Sequence, residues 1–376
     1  MEYTKDKEVV IMRKSVLTIL IVFVMLFSVS CLGDKAKTER VSEGIDFKKF
    51  TKIDEELYSI NFHKIEEENS IEPYTCDGFV LWGNQQSIVF QDIYSIKDHY
   101  IYKVNLDNKL EWKKETDVCY DKILVKDDKM YLVNIYASVK KDSFSEIVCL
   151  DKNGEQLWTK NIEFDLENNE VGFLIDSIVV DDGIMVYARI DKGYGKEYLY
   201  SYSAILKKYD FDGNLVLEKD FTIPNFLPDK LMLNNKEVYT TYFQFDVLNA
   251  EKIITKFNLE GKVLTEERVS DFDYMFFTKD NIILEKGISV KKLDYNFKEQ
   301  GEVVDVEVSK TFGAYKFIPS EEHFYIVFYA DDKKTNVEKY DYDGNLLTEN
   351  IYENLPENVE YLGEIDGKKI VLFYEL

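Results

Sequence analysis

Proline and cysteine are nearly missing from this chain of 376 residues, at 5 and 4 copies, and glycine is scarce at 17. So little proline and glycine excludes disorder by composition. The cysteines, Cys31, Cys76, Cys119 and Cys149, match no C-x-x-C spacing, which excludes a disulfide framework and a zinc ribbon. Cys119 and Cys149 fall in one structural unit, where a bridge or burial as small apolar side chains are the two readings. The three histidines, His63, His99 and His323, are not spaced as a metal pair. There is no G-x-S-x-G, phosphate-binding loop or histidine-based zinc motif, so the sequence offers no catalytic residue and no metal or cofactor site. Basic residues are outnumbered 47 to 71, giving a formal charge of -24, and such a surface repels nucleic acid and anionic lipid head groups.

What the chain has is a repeat. Glu338 to Asn350 contains Asp341-Tyr342-Asp343-Gly344 between two segments of apolar/polar alternation, the pattern of two antiparallel strands joined by a glycine-dependent turn. Copies centre on Gly154, Gly213 and Gly261. Weaker ones place Asn108 and Phe297 in the glycine position, and a degenerate one, Phe50 to Tyr58, places Asp54 there. Adjacent copies lie 36 to 59 residues apart, three of the six steps falling in the forties, the period of a four-stranded propeller blade. A 15% aromatic content, with 27 Tyr and 25 Phe, suits strands. The Asp-x-Asp-Gly-Asn clusters at Asp210 to Asn214 and Asp341 to Asn345 read as turn chemistry before calcium chemistry, because turns need Asp, Asn and Gly for backbone reasons.

Within each unit, strands A to D run from the axis outward. The second strand is apolar throughout in several units, as in Ile184-Met185-Val186-Tyr187 and Phe324-Tyr325-Ile326-Val327-Phe328, which predicts burial on both faces between neighbouring blades. The fourth is more polar, as in Leu217-Glu218-Lys219-Asp220, and reads as the outer edge. Tyr361 to Glu364 and Lys369 to Tyr374 read as A and B strands without C and D, whereas Asp46 to Phe62 reads as a C and D hairpin without A and B. Pairing the two ends closes a ring. The prediction is an all-β propeller over residues 45–376 with seven four-stranded blades, six or eight being the alternatives.

Before the repeats, Arg13-Lys14 and an apolar run from Val16 to Val29 form an export signal over residues 1–30, with Met12 as the expected start. Ser28-Val29-Ser30-Cys31 resembles the lipobox of bacterial lipoproteins, although Ser28 stands where leucine is usual. That resemblance implies lipid on Cys31; ordinary cleavage after Ser30 and an uncleaved anchor are the competing readings. Residues 31–44 read as a polar tether.

Leu150-Asp151-Lys152-Asn153-Gly154-Glu155-Gln156-Leu157-Trp158, and more loosely Asn105 to Trp112, resemble the repeats of pyrroloquinoline-quinone-like and WD-repeat-like propellers. That group includes the propeller lipoprotein of the outer-membrane β-barrel assembly machinery. The resemblance implies a fold. The adjacent cysteine pair of some quinone dehydrogenases is absent, so no cofactor is expected. The expected role is a monomeric, membrane-anchored binding or scaffold module of the bacterial cell envelope, recognising an envelope protein or glycan. The alternative is a sugar- or peptide-directed enzyme acting at the mouth of the central channel. Asp181-Asp182 and Asp331-Asp332 read as solvated turns. Length varies most between strands B and C, in Ala137 to Phe144, Asp191 to Ser203, Asp246 to Glu251 and Ala330 to Asn336. The longest of these holds Tyr194, Tyr198 and Tyr200, the candidate contact residues, with extension of strands B and C as the plainer reading.

Overall fold

Six of the seven copies of the turn motif reverse the chain by one local device; the degenerate copy does not, since Asp54 lacks a positive φ and its turn is closed by the Ile53 and Asp54 N–H groups on the Leu57 carbonyl. In the computed structural model, one carboxylate oxygen of Asp151, Asp210, Asp294 and Asp341 accepts the backbone N–H groups two and four residues ahead at 2.8–3.0 Å. Asn105 does the same with its amide oxygen. The residue three ahead of the acceptor must then take a positive φ, and Gly154, Gly213, Gly261 and Gly344 do so at 73–85°. Phe297 holds that position at φ 64°, where the sequence alignment had put it. These are turns in which the Asp side chain is occupied by its own backbone.

The structure describes residues 50–62, 76–92, 99–107, 109–138, 145–167, 170–192, 201–221, 226–244, 251–270, 272–306, 312–330, 334–353, 355–356, 358–365 and 368–374. These form seven sheets, the blades of a β-propeller. Blades one to six span 76–116, 122–161, 170–221, 226–270, 274–305 and 312–352. Blade seven takes Asn358–Ile365 and Lys368–Tyr374 from the C-terminal end, and Leu57–Phe62 and Thr51–Lys52 from the other.

The ring therefore closes by the pairing of the two ends. Leu57–Phe62 pairs with Lys369 to Tyr374 in parallel register, Leu57 opposite Lys369 and Phe62 opposite Tyr374, whereas every other pairing among the described strands is antiparallel. The cause is the order of entry. Thr51–Lys52 comes first and lies outermost, so the second strand of the hairpin, running the opposite way, occupies the inner place.

Second strands are buried as expected: His323–Ala330 is buried at every position but one. Apolar clusters lie across the seams between blades, such as Val133, Ile147 and Cys149 of blade two with Ile184, Val186 and Tyr209 of blade three. Cys119 and Cys149 are not bridged to each other, and burial pushes the Cys149 thiol up to about 11. Turn glycines also make seams. A Cβ on Gly154 would lie 3.2 Å from the Trp112 ring of the preceding blade, and one on Gly213 would lie 3.2 Å from Trp158, so each indole lies against a glycine of the next blade's turn. The C-strand residue two before the turn acceptor reaches the same place: Lys103 Nζ donates to the Lys152 carbonyl and Lys256 Nζ to the Tyr295 carbonyl.

Two features depart from seven equal blades. Blade five, after the shortest repeat spacing, has strands of only two to five residues. Blade three has a first strand of 11 residues, Glu170–Val180, and a fifth strand, Tyr136–Ser138, pairs on its axis side. The sequence reading had placed Ala137 in a loop. Instead the connection between the second and third strands of blade two reaches over and pairs with the inner edge of blade three at Val171 to Phe173. The outer strands are exposed but not uniformly polar, since Leu157, Leu215, Val216, Val263, Leu264, Leu346 and Leu347 all face solvent.

Candidate functional site

The D-to-A and B-to-C connections share one face of the ring, and the first strands begin there around the channel mouth. Bulges shape the wall: the register shifts between Leu174 and Asp176 in blade three and between Pro228 and Lys230 in blade four. A bulge re-aims the side chains beside it, here Asp176, Asp229 and Lys230.

These groups bind neighbouring blades together. Asp176 Oδ1 lies 2.8 Å from Lys122 Nζ of blade two, and Asp176 Oδ2 accepts the Leu231 N–H of blade four at 3.3 Å. Asp229 Oδ2 accepts Lys252 Nζ at 2.9 Å and the Thr241 hydroxyl at 3.2 Å. Lys316 Nζ of blade six reaches both carboxylate oxygens of Glu360 in blade seven, at 2.9 and 2.8 Å. Lys230 has a different environment. Its ammonium lies 4.2 Å from the centre of the Tyr274 ring and donates to the Asp273 carbonyl at 3.1 Å; burial lowers its pKa against the pull of Asp229.

Beside Lys230, Glu285 is the last buried residue of the second strand of blade five, Ile282–Lys286, and is fully buried. Its Oε1 meets the Tyr315 hydroxyl of blade six, while Oε2 has no hydrogen-bond partner among the described residues. Burial first, then the neighbouring Asp273 charge, push this carboxyl up to about 7, against the Tyr315 hydrogen bond and Lys230. Asp273 itself accepts the Gly287 N–H at 3.0 Å.

At the blade-three sector of the mouth, Tyr136 stands edge-on to Phe173 at 5.8 Å between ring centres. Arg189 lies over the Phe173 ring at 5.2 Å, and its Nε is 2.6 Å from Asp191 Oδ1.

The residues singled out in the sequence fare differently. Cys31, Tyr194, Tyr198 and Tyr200 lie outside the described residues, as do Asp331 and Asp332. Asp181 and Asp182 sit in the A-to-B turn on the opposite face, each exposed and paired with a lysine, Lys236 and Lys208. His323 belongs to the ring closure, 3.5 Å from Glu56. No group of three or more His, Cys, Asp or Glu suited to a metal ion occurs among the described residues. Sequence reading missed Lys230, Tyr274, Glu285 and Tyr315. One signal was present: Glu285 follows Ile282-Ile283-Leu284, a charge in a strand that is apolar up to that point.

No protein-family model matches this sequence, and no curated protein sequence matches it. Solved structures similar in fold include the complex of the fission yeast SREBP-SCAP binding domains, at 10% identity over 84% of this chain and 93% of that one, TM-score 0.45. The WD40 domain of SCAP from fission yeast matches at 10% identity over 85% of this chain and 80% of that one, TM-score 0.43. A mutant of the Synechocystis apocarotenoid oxygenase matches at 11% over 73% and 71%, TM-score 0.43. At such identities a likeness of fold says nothing of a shared ligand.

Proposed function

We propose that the protein is a lipid-anchored β-propeller of the bacterial cell envelope, held to the membrane through Cys31 and acting as a monomeric binding or scaffold module for an envelope protein or glycan. Residues 1–30 act as the export signal, 31–44 as the tether and 45–376 as the binding domain. The repeat resemblance to pyrroloquinoline-quinone-like propellers, whose members include an envelope lipoprotein, agrees with this reading.

The observation that carries it is the state of the mouth. Asp176, Asp229 and Glu360 are each neutralised by a lysine, and Asp176 and Glu360 reach across to a neighbouring blade, so these carboxylates fix the wall and do not stand ready for proton transfer. Glu285 has the raised carboxyl that suits an acid catalyst. It is fully buried, however, beneath contacts with Tyr315, and cannot touch a substrate without displacing that ring. A binding surface needs no such movement. The reading assigns the contact area to Tyr194, Tyr198 and Tyr200, the tyrosines expected from the sequence to lie in the longest B-to-C connection.

The test has two arms. Cys31→Ser should move the protein from the membrane fraction to the soluble fraction. In a pull-down from envelope membranes, the triple change of Tyr194, Tyr198 and Tyr200 to serine should lose a partner retained by the native protein while the melting curve stays unchanged. Equal recovery by native and triple-variant protein removes this face from the reading.

A further inference from the structure

Among the described residues, the large apolar side chains left exposed fall into two sets. Nine lie on or beside the outermost strands. The other two, Tyr136 at 45% and Tyr274 at 50% exposure, stand at the channel mouth in the inner strands of blades three and five.

Each of these tyrosines belongs to a similar station. Tyr136 abuts Phe173, whose ring carries the Arg189 guanidinium, and Arg189 is held by Asp191. The Tyr274 ring carries the Lys230 ammonium directly, and Lys230 is held by the Asp273 carbonyl. In both, a cation on an aromatic face braces the station, and half of a tyrosine stays open to solvent.

The charges within each station balance: Arg189 pairs with Asp191, and Lys230, held by the backbone carbonyl of Asp273, has the Asp273 and Asp229 carboxylates near enough to act on its charge, Asp229 being itself paired with Lys252. A basic peptide would need carboxylates without a lysine or arginine beside them. An acidic ligand would meet a chain whose net charge is -24. What remains is an aromatic face flanked by fixed donors and acceptors of no net charge. This suits a sugar ring, whose C–H face lies on an aromatic and whose hydroxyls both donate and accept.

We infer that the two tyrosine stations at the mouth, built around Tyr136 and Tyr274, bind a neutral, hydroxyl-rich polysaccharide, one sugar ring at each station. This rests on the binding-module reading above and names the ligand class for its mouth. Two stations on one rigid ring act together, so a chain that spans both is held more tightly than a fragment that reaches one.

The test is electrophoresis of the purified full-length protein through native gels containing soluble neutral polysaccharides (β-glucan, galactomannan, xylan), with poly-L-lysine and polygalacturonate as the charged alternatives. At least one neutral polymer should retard the protein, and retardation should persist in about 1 M salt, where the screening length is about 3 Å. Tyr136→Ala and Tyr274→Ala should each weaken binding roughly tenfold, as the loss of one aromatic contact and of the second foothold predicts. Leu347→Ala on the outer rim should leave it unchanged. Both tyrosines are half exposed, so an unchanged melting temperature separates lost binding from lost folding. The inference is overturned if no neutral polymer retards the protein, if both tyrosine variants bind as the native chain does, or if only poly-L-lysine binds and salt abolishes it. A partner retained by native protein and lost by the triple tyrosine variant in the membrane pull-down, with no polymer bound, keeps the binding-module reading and removes the sugar; failure of both removes both.

Discussion

The Tyr315 hydroxyl lies within hydrogen-bonding reach of two acceptors, Glu285 Oε1 and the Gly287 carbonyl oxygen. A phenol carries one proton. That proton is shared between the two acceptors, so the Tyr315 hydrogen bond only partly offsets the burial of the Glu285 carboxyl. Burial outweighs it and pushes Glu285 up to about 7.

The consequence is a pH dependence of stability with a definite sign. Glu285 has a raised folded-state pKa, so its contribution is fully present below the ordinary value of 4.5 and is lost as pH rises through about 7. Glu285→Gln keeps the shape and a donor while removing the titration. Its melting temperature should match the native protein near pH 5 and exceed it near pH 9, by the equivalent of on the order of 2 kcal/mol. Parallel melting curves for the two proteins across that range would show that Glu285 does not titrate there.

How far the sequence revealed this molecule depends on what each signal encodes. The turn motif could be aligned from sequence because all its turns but the degenerate one need an Asp or Asn acceptor and a residue tolerant of positive φ, and those demands fall on neighbouring residues. Even Phe297 was placed by register alone. The inner position of Leu57–Phe62 could not be read, because parallel and antiparallel partners have the same alternation. The mouth stayed hidden for a related reason. Tyr274, Glu285 and Tyr315 come from different strands, and only the seam between blades five and six brings Glu285 and Tyr315 into contact.

The turn position tests that register quantitatively. Gly344 lies at φ 85°, and a Cβ there would fall 2.6 Å from Val304 Cγ1 of the preceding blade. Gly344→Ala should therefore destabilise by about 1–2 kcal/mol from backbone strain alone, and by more once Val304 is displaced. Phe297 presents the opposite balance. Phe297→Gly relieves a comparable strain, but the ring is only 4% exposed and packs with Tyr239 and Leu293, and losing a buried Phe costs about 3–5 kcal/mol. The second term wins, so this variant should also be destabilised, by roughly 2 kcal/mol. Denaturant unfolding gives both values, and a stabilised Phe297→Gly would mean that burial at this turn is worth less than its strain.

The closure of the ring should weaken in acid. Blade six holds the turn of the N-terminal hairpin through side chains: the Tyr325 hydroxyl donates to Asp54 Oδ2 at 2.9 Å, Lys339 Nζ lies 3.3 Å from the same oxygen, and the Ser320 hydroxyl donates to Glu56 at 2.7 Å. Because Tyr325 gives its proton to Asp54, its oxygen accepts from His323 Nε2 at 3.2 Å. Burial lowers the pKa of His323, with Lys339 adding to it against Glu56 and Asp54. For Asp54, burial acts upward but is outweighed by the Glu55 backbone N–H, Tyr325 and Lys339, so its pKa is lowered. Both groups carry a depressed folded-state pKa. The His323 contribution is full above its ordinary 6.5 and is lost as pH falls through its lower folded value; the Asp54 contribution is full above its ordinary 3.8 and is lost in the same way below it. Tyr325→Phe removes the hydroxyl from both partners and should bring acid unfolding on at a higher pH. Amide hydrogen exchange localises the effect: the Lys369 N–H, bonded to the Glu56 carbonyl at 2.7 Å, should lose protection as pH falls before the seam between blades two and three does. Simultaneous loss at both seams would show that acid unfolds the ring as a whole and that the closure is no weaker than its neighbours.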